Sequence, residues 1–79
     1  MSYTVRAVTE DRITEEGGRA TVTELHVLRD GRFLSVADDL DDARAIIARD
    51  LPGYRGSEDF EDNFRRVTIA PDGAVTVQG

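Results

Sequence analysis

The chain has 79 residues, a length that predicts one compact domain over residues 1–79 with a thin margin of stability. It contains no cysteine, which excludes disulfides and thiolate metal sites and fits a reducing cytoplasm, the compartment we expect. Its ten basic residues are all arginine and its formal net charge is −6, so chemistry that needs a lysine is excluded and an acidic surface is predicted.

A first strand is predicted over residues 3–9, because apolar side chains alternate with polar ones there. The two glutamates and two glycines at residues 15–18 then suggest the turn of a long hairpin. That turn would set Ile13 opposite Val22 and Val8 opposite Val27. The same register pairs a glutamate with a leucine, so a bulge is expected over residues 10–12.

The second turn is more specific. Asp30-Gly31 is the dipeptide of a type I′ hairpin, and pairing the flanking arginines predicts Leu28 opposite Phe33. It also predicts Val27 opposite Leu34. Continuing this register places Leu25, Val27, Leu34 and Val36 on one face of the sheet and His26, Leu28, Phe33 and Ser35 on the other.

A first helix is predicted to begin at the aspartates that follow this hairpin, with Asp38 or Asp39 as the N-cap. Asp41 and Asp42 would then lie in the first turn, where the helix dipole favours negative charge. The helix should end at Pro52-Gly53. Its predicted inner stripe is Leu40, Ala43, Ile47 and Leu51. Arg44 borders that stripe, so its stem should lie along the sheet and its guanidinium should reach a carboxylate or solvent.

A short second helix is predicted after residue 56, capped by Ser57, with Phe60 and Phe64 on its inner side. The chain then closes with a hairpin around the Pro-Asp-Gly turn of residues 70–74. This turn aligns Val67 with Val77 and Ile69 with Val75. The predicted fold class is α+β, a small antiparallel sheet in the order β-β-β-α-α(short)-β-β with helices packed on one face.

The acidic charge is concentrated in residues 38–62, which hold nine carboxylates and three arginines and so account for the whole net charge of −6. Eight of these acids form two blocks, Asp-Asp-Leu-Asp-Asp and Glu-Asp-Phe-Glu-Asp. Such a concentration bears on partners and solubility rather than on fold. The candidate partner-binding residues are Asp38, Asp39, Asp41, Asp42, Glu58, Asp59, Glu61 and Asp62.

Catalytic chemistry has little support in the sequence. His26 and Ser35 are predicted to face each other across two strands, but this pair lacks an orienting acid and an oxyanion hole, so a polar surface pair is the favoured interpretation. The acidic blocks lack the alternating ligands and the glycine of a calcium loop. We therefore expect no catalytic residues, metal or cofactor.

Direct nucleic-acid binding and membrane attachment are also disfavoured. The arginines are dispersed and outnumbered by acids, so the basic footprint that neutralises phosphates is missing. The first residues contain no apolar run, and no segment approaches the length of a transmembrane helix. The expected partner is therefore a protein.

The sequence thus favours a non-enzymatic module whose acidic blocks bind a basic protein, such as a nuclease or another nucleic-acid-binding protein, and occupy its nucleic-acid surface. In size and charge the chain is similar to the small acidic inhibitors, including anti-restriction and anti-CRISPR proteins, that mobile elements direct against host nucleases. That similarity implies a DNA-mimic inhibitor of phage or other mobile-element type. The alternative is a small structural domain that associates into a homodimer through the sheet face bearing His26, Leu28 and Phe33, its acids conferring only solubility.

Overall fold

The computed structural model describes residues 1–78 and confirms the predicted α+β class and element order. A three-stranded antiparallel sheet comes first, two helices follow, and a two-stranded antiparallel sheet closes the chain. The elements are β1 (Tyr3–Ile13), β2 (Arg19–Arg29), β3 (Arg32–Ala37), α1 (Leu40–Asp50), α2 (Ser57–Arg65), β4 (Val67–Ile69) and β5 (Val75–Val77).

The register of the first hairpin differs from the prediction. Val27 lies opposite Val5 instead of Val8, and Ile13 lies opposite Arg19 instead of Val22. The pairing is continuous, so the expected bulge over residues 10–12 is absent from the described strands. The connection is a loop over residues 14–18, closed by a 2.7 Å hydrogen bond from the Thr14 amide to the Gly18 carbonyl. Because both faces are polar towards the tip, no apolar alternation specified the register there.

The turn between β2 and β3 is confirmed, since Asp30 and Gly31 both have positive φ, at 52° and 80°. Leu28 lies opposite Phe33, as predicted, but the register then shifts at a β-bulge that leaves Leu34 as the additional residue. Beyond it, the predicted pairing is wrong and Ser35 and Val36 lie on the faces opposite to those predicted, whereas Leu25 and Val27 share one face as predicted. The pairs there are Val27 with Ser35, His26 with Val36, and Leu25 with Ala37.

Helix α1 begins as predicted, with Asp39 as its N-cap. Ala43, Ile47 and Leu51 are buried, which confirms the inner stripe, and Ala48 is buried as well. Leu40 was wrongly assigned to the interior, because it is 52% exposed in the first turn of the helix. The helix ends at Asp50, just before Pro52-Gly53.

Helix α2 begins one residue earlier than its predicted cap implied. Ser57 is its first residue and Gly56 occupies the N-cap position, with no side chain capping the helix. Phe60 and Phe64 pack against the core, as predicted, with their ring centroids 5.9 Å apart. The inner side of the helix also buries Asn63.

The closing hairpin follows the prediction, since Val67 pairs with Val77 and Ile69 pairs with Val75. It joins the first sheet through one bridge, between Thr4 and Ala74. The Val5 amide also donates a 2.8 Å hydrogen bond to the Gly73 carbonyl. The resulting core lies between the helices and the part of the first sheet in which all three strands are paired. It contains Tyr3, Val5, Val27, Ala37, Ala43, Ile47, Ala48, Leu51 and Val67.

Candidate functional site

The two acidic blocks form the starts of the two helices. Asp39 caps α1, with its Oδ1 accepting a 2.7 Å hydrogen bond from the Asp42 amide. Asp42 reciprocates, because its Oδ2 accepts a 2.9 Å hydrogen bond from the Asp38 amide. This arrangement satisfies one backbone donor in the first turn of the helix and one in the residue before the N-cap, so part of the first block stabilises the fold.

The second block has no comparable structural task in the described residues. Glu58 and Asp59 lie in the first turn of α2 without making a side-chain cap, and Glu61 and Asp62 are exposed on its outer side. Across both blocks most of the carboxylates are exposed and two are half-buried. The exposed ones are Asp38, Asp39, Asp41, Glu58, Glu61 and Asp62, and the half-buried ones are Asp42 and Asp59.

The helices run antiparallel, as two contacts between arginines and aromatic rings show. Arg44, early in α1, lies over the ring of Phe64 near the end of α2, with its Cζ 5.3 Å from the ring centroid. Arg49, late in α1, lies over the ring of Phe60 at 5.1 Å. The guanidinium of Arg44 reaches a carboxylate as predicted, that of Asp41 at 3.6 Å, and it also stacks on the second helix, which the sequence did not indicate.

This orientation places the two acidic blocks towards opposite ends of the helix pair. The guanidinium groups of Arg44 and Arg49 lie where the two helices contact each other. The blocks centre on Leu40 and Phe60. Phe60 is in contact with Arg49, nine residues along α1 from Leu40, so the block centres are about 14 Å apart along the axis at a rise of about 1.5 Å per residue. The sequence did carry a signal for this, because a connection as short as residues 51–56 reverses the chain direction.

Few of these carboxylates are neutralised within the chain. Over residues 1–78 only Asp41 among the eight has a cationic partner within 4 Å, the Arg44 guanidinium at 3.6 Å. Arg55 and Arg66 line a shallow depression together with Asp59 and Asp62, which moderates the field there without a direct ion pair. The acidic blocks thus keep most of their charge available to another molecule.

Asp50, the ninth carboxylate of this segment, is committed to the fold. Its Oδ2 accepts a 2.7 Å hydrogen bond from the Tyr3 hydroxyl, and the Arg29 guanidinium donates to both of its oxygens at 3.0 and 3.1 Å. Burial, followed by this hydrogen bond and the nearby Asp50 charge, raises the pKa of Tyr3 well above its usual value. Asp50 therefore links the end of α1 to the sheet.

The predicted pairing of His26 with Ser35 does not exist. The bulge turns Ser35 to the opposite face, where its hydroxyl donates to the Val36 carbonyl. The His26 ring packs edge-on against Phe33, and its Nε2 lies 3.3 Å from a Glu24 oxygen. The hydrogen bond with His26, followed by the adjacent Arg12, lowers the pKa of Glu24. This group is a polar cluster on the outer sheet face.

Other kinds of site find no support in the part of the chain that the structure describes. None of the helices there is both long and apolar enough to cross a membrane. No three histidine or carboxylate side chains among residues 1–78 come together as a metal site.

Comparisons with protein-family models, with curated proteins and with solved structures found no match. Fold and surface together define a small α+β protein with two acidic helix starts.

Proposed function

We propose that the protein is a non-enzymatic binding module whose acidic blocks dock on a basic, nucleic-acid-binding surface of another protein and so block it. The observation that carries this proposal is the lack of a cationic partner within 4 Å for seven of the eight block carboxylates over residues 1–78. Exposed carboxylates without internal partners can pair with the arginines and lysines of a partner, which steers association and favours a basic surface.

The spacing of the blocks supports a nucleic-acid site as the target. Two negative groups offset by about 14 Å along the helix axis, given the helical rise, are of the same order as the phosphate rows that border the roughly 12 Å wide major groove. A protein that binds duplex DNA places its arginines and lysines to meet those rows. The module would therefore compete with DNA for the same side chains on its partner.

The test compares two variants of equal charge. Replacing the four acids of the second block with their amides (E58Q, D59N, E61Q, D62N) changes the net charge from −6 to −2. Replacing four acids of the first hairpin (E10Q, D11N, E15Q, E16Q) makes the same change elsewhere on the surface. The second block makes no side-chain cap, so its neutralised form should keep the wild-type circular dichroism spectrum.

Immobilised wild-type and variant proteins would be used to capture partners from a lysate of the source cells. A partner retained by the wild type and the hairpin variant, lost from the block variant, and released both by added salt and by duplex DNA would support the proposal. Capture that is equally strong for the block variant, or that resists both salt and duplex DNA, would refute it.

A further inference from the structure

The upper half of the first hairpin projects from the body of the molecule. We call residues 8–24 the hairpin arm, because Ala7 and Leu25 are the last β1–β2 pair that a third strand accompanies. Every residue from 9 to 19 is exposed, Ile13 to 81%. The arm helps to explain the elongated shape, which measures 47 × 25 × 19 Å. A two-stranded ribbon without a third strand or a helix against it is only marginally stable in water.

Open strand edges occur at three places in the three-stranded sheet, and two of them are protected. The outer edge of β3 is interrupted by the bulge at Leu34. The outer edge of β1 carries charged side chains at Arg6 and over residues 10–12. Bulges and charges are the devices by which proteins prevent strand edges from pairing with other chains.

Between Arg19 and Glu24, the edge of β2 within the arm has neither device. Residues 20–23 read Ala-Thr-Val-Thr, which is uncharged, β-branched at three of four positions and free of proline and glycine. These residues pair with β1 on one side only, since β3 begins its pairing at Leu25. Such a segment presents open backbone groups and favours addition of a strand.

We propose that a second copy of this chain pairs with this edge, the two β2 strands running antiparallel about a two-fold axis at Thr21. This axis sets Ala20 opposite Val22 and Arg19 opposite Thr23, so that no like charges meet. The pairing ends with Gly18 opposite Glu24, and the turn beyond Gly18 bends out of the plane of the sheet, because Ala37 already occupies the position opposite Leu25. The two arms form one four-stranded sheet.

The corresponding arrangement on β1 is less favourable. A two-fold axis at Thr9 would place Arg6 opposite Arg12, and an axis at Glu10 would place that carboxylate opposite its own copy. An axis at Val8 would bring the second strand into the space that the Gly73 turn occupies beside Val5. The chemistry of the two edges therefore points to β2.

Thr9 and Thr23 provide matched variants, because they face each other across the arm with their hydroxyl oxygens 3.2 Å apart. Replacing either with lysine removes the same hydrogen bond, but only Thr23→Lys adds a cation opposite Arg19 of the second copy. We expect sedimentation equilibrium to show a wild-type dimer, and Thr23→Lys to weaken it about tenfold or more, since the change occurs twice in one interface. Thr9→Lys should leave it nearly unchanged.

A third variant tests whether the exposed sheet face, rather than the hairpin arm, forms the dimer. Phe33 is 60% exposed and Val36 42%, so Phe33→Glu would disrupt a dimer built on that face. We expect this variant to dimerise like the wild type. A wild-type protein that stays monomeric at high micromolar concentration would overturn the proposal. So would a dimer that Thr9→Lys or Phe33→Glu weakens at least as strongly as Thr23→Lys does.

Discussion

At the scale of single residues, Asp50 connects the end of the first helix to two strands of the sheet. It accepts hydrogen bonds from Tyr3 at the start of β1 and from Arg29 at the end of β2. A hydrogen bond to a charged group contributes about 1.5–3 kcal/mol when sheltered from solvent, as that of Tyr3 is, whereas the ion pair with the half-exposed Arg29 contributes less. In a domain with little apolar surface to bury, one such group is a substantial fraction of the total stability.

The raised pKa of Tyr3 predicts a pH dependence of stability at the alkaline end. Tyrosine in the unfolded chain ionises near pH 10, whereas burial and the Asp50 hydrogen bond keep folded Tyr3 protonated to higher pH. Above about pH 10 the unfolded state therefore loses a proton that the folded state keeps, so the contribution of Tyr3 is complete below that pH and declines above it.

Urea denaturation of wild type and Tyr3→Phe over the range from neutral to alkaline pH measures this effect. The variant should be less stable by about 2 kcal/mol at pH 7. The difference should shrink above about pH 10, because the variant has no proton to lose at this position. The two proteins differ only in the Tyr3 hydroxyl, so the difference between them isolates its contribution. A difference that stays constant across the alkaline range would contradict the assigned role of the Tyr3 proton.

At the scale of elements, α1 is held by its inner face. Ile47 is fully buried, while its neighbour Ile46 lies about 100° around the helix and packs only at the border of the core. Ile47→Ala should lower the free energy of unfolding by about 2–5 kcal/mol, because it leaves a cavity in the buried core. Ile46→Ala removes the same atoms with a smaller effect. Denaturation curves that rank the two variants in reverse would show that the inner face was misassigned.

The closing hairpin depends on a glycine for reasons of space as well as conformation. Gly73 has a φ of 89°, and a Cβ on it would lie 2.0 Å from the Val5 carbonyl oxygen. Gly31 has nearly the same φ, 80°, but a Cβ there has nothing within 4 Å. Gly73→Ala should therefore be clearly more destabilising than Gly31→Ala, since it adds a clash to the backbone strain that both share.

Thermal unfolding of the two alanine variants measures that difference directly. Gly73→Ala should also increase the hydrogen exchange of the Val5 amide, which donates to the Gly73 carbonyl. Equal melting temperatures for the two variants would mean that the closing hairpin can move away from β1 without a loss of stability. The bridge between the sheets would then contribute little to stability.

The elements also show which features the sequence could predict. The closing hairpin was correct in register because Pro71, Asp72 and Gly73 together define its turn. The register predicted for the first hairpin was wrong. Threonines and charged residues line both faces of the arm, so a shift of the register changes the burial of few apolar side chains there. The bulge at Leu34 contains no glycine and left no local signal in the sequence.

The candidate site was predictable to a similar degree. The acidic blocks were assigned to helix starts from composition and capping alone, and both do lie there. Their relative position required tertiary information, namely the stacking of Arg44 and Arg49 on the rings of α2. Such contacts between charged and aromatic side chains do not follow from periodicity along either helix.

At the scale of the whole molecule, a compact body and a projecting arm divide the chain into two parts of different character. The body holds every buried hydrophobic residue of the described chain, and the acidic blocks lie on its helical side. The arm contributes an uncharged strand edge and little burial. Binding through the blocks and self-association through the arm would therefore use separate surfaces. A variant that loses one activity should keep the other.

The bridge between Thr4 and Ala74 has a further consequence for how the chain acquires its fold. The first strand can pair with its neighbour early in synthesis, because hairpin contacts are local and form quickly. The strand cannot gain its contact with the closing hairpin until residue 74 has emerged from the ribosome. During that interval the backbone of Thr4 and Val5 has no partner on the side that this hairpin later occupies, and the nascent chain is open there to a chaperone or to aggregation.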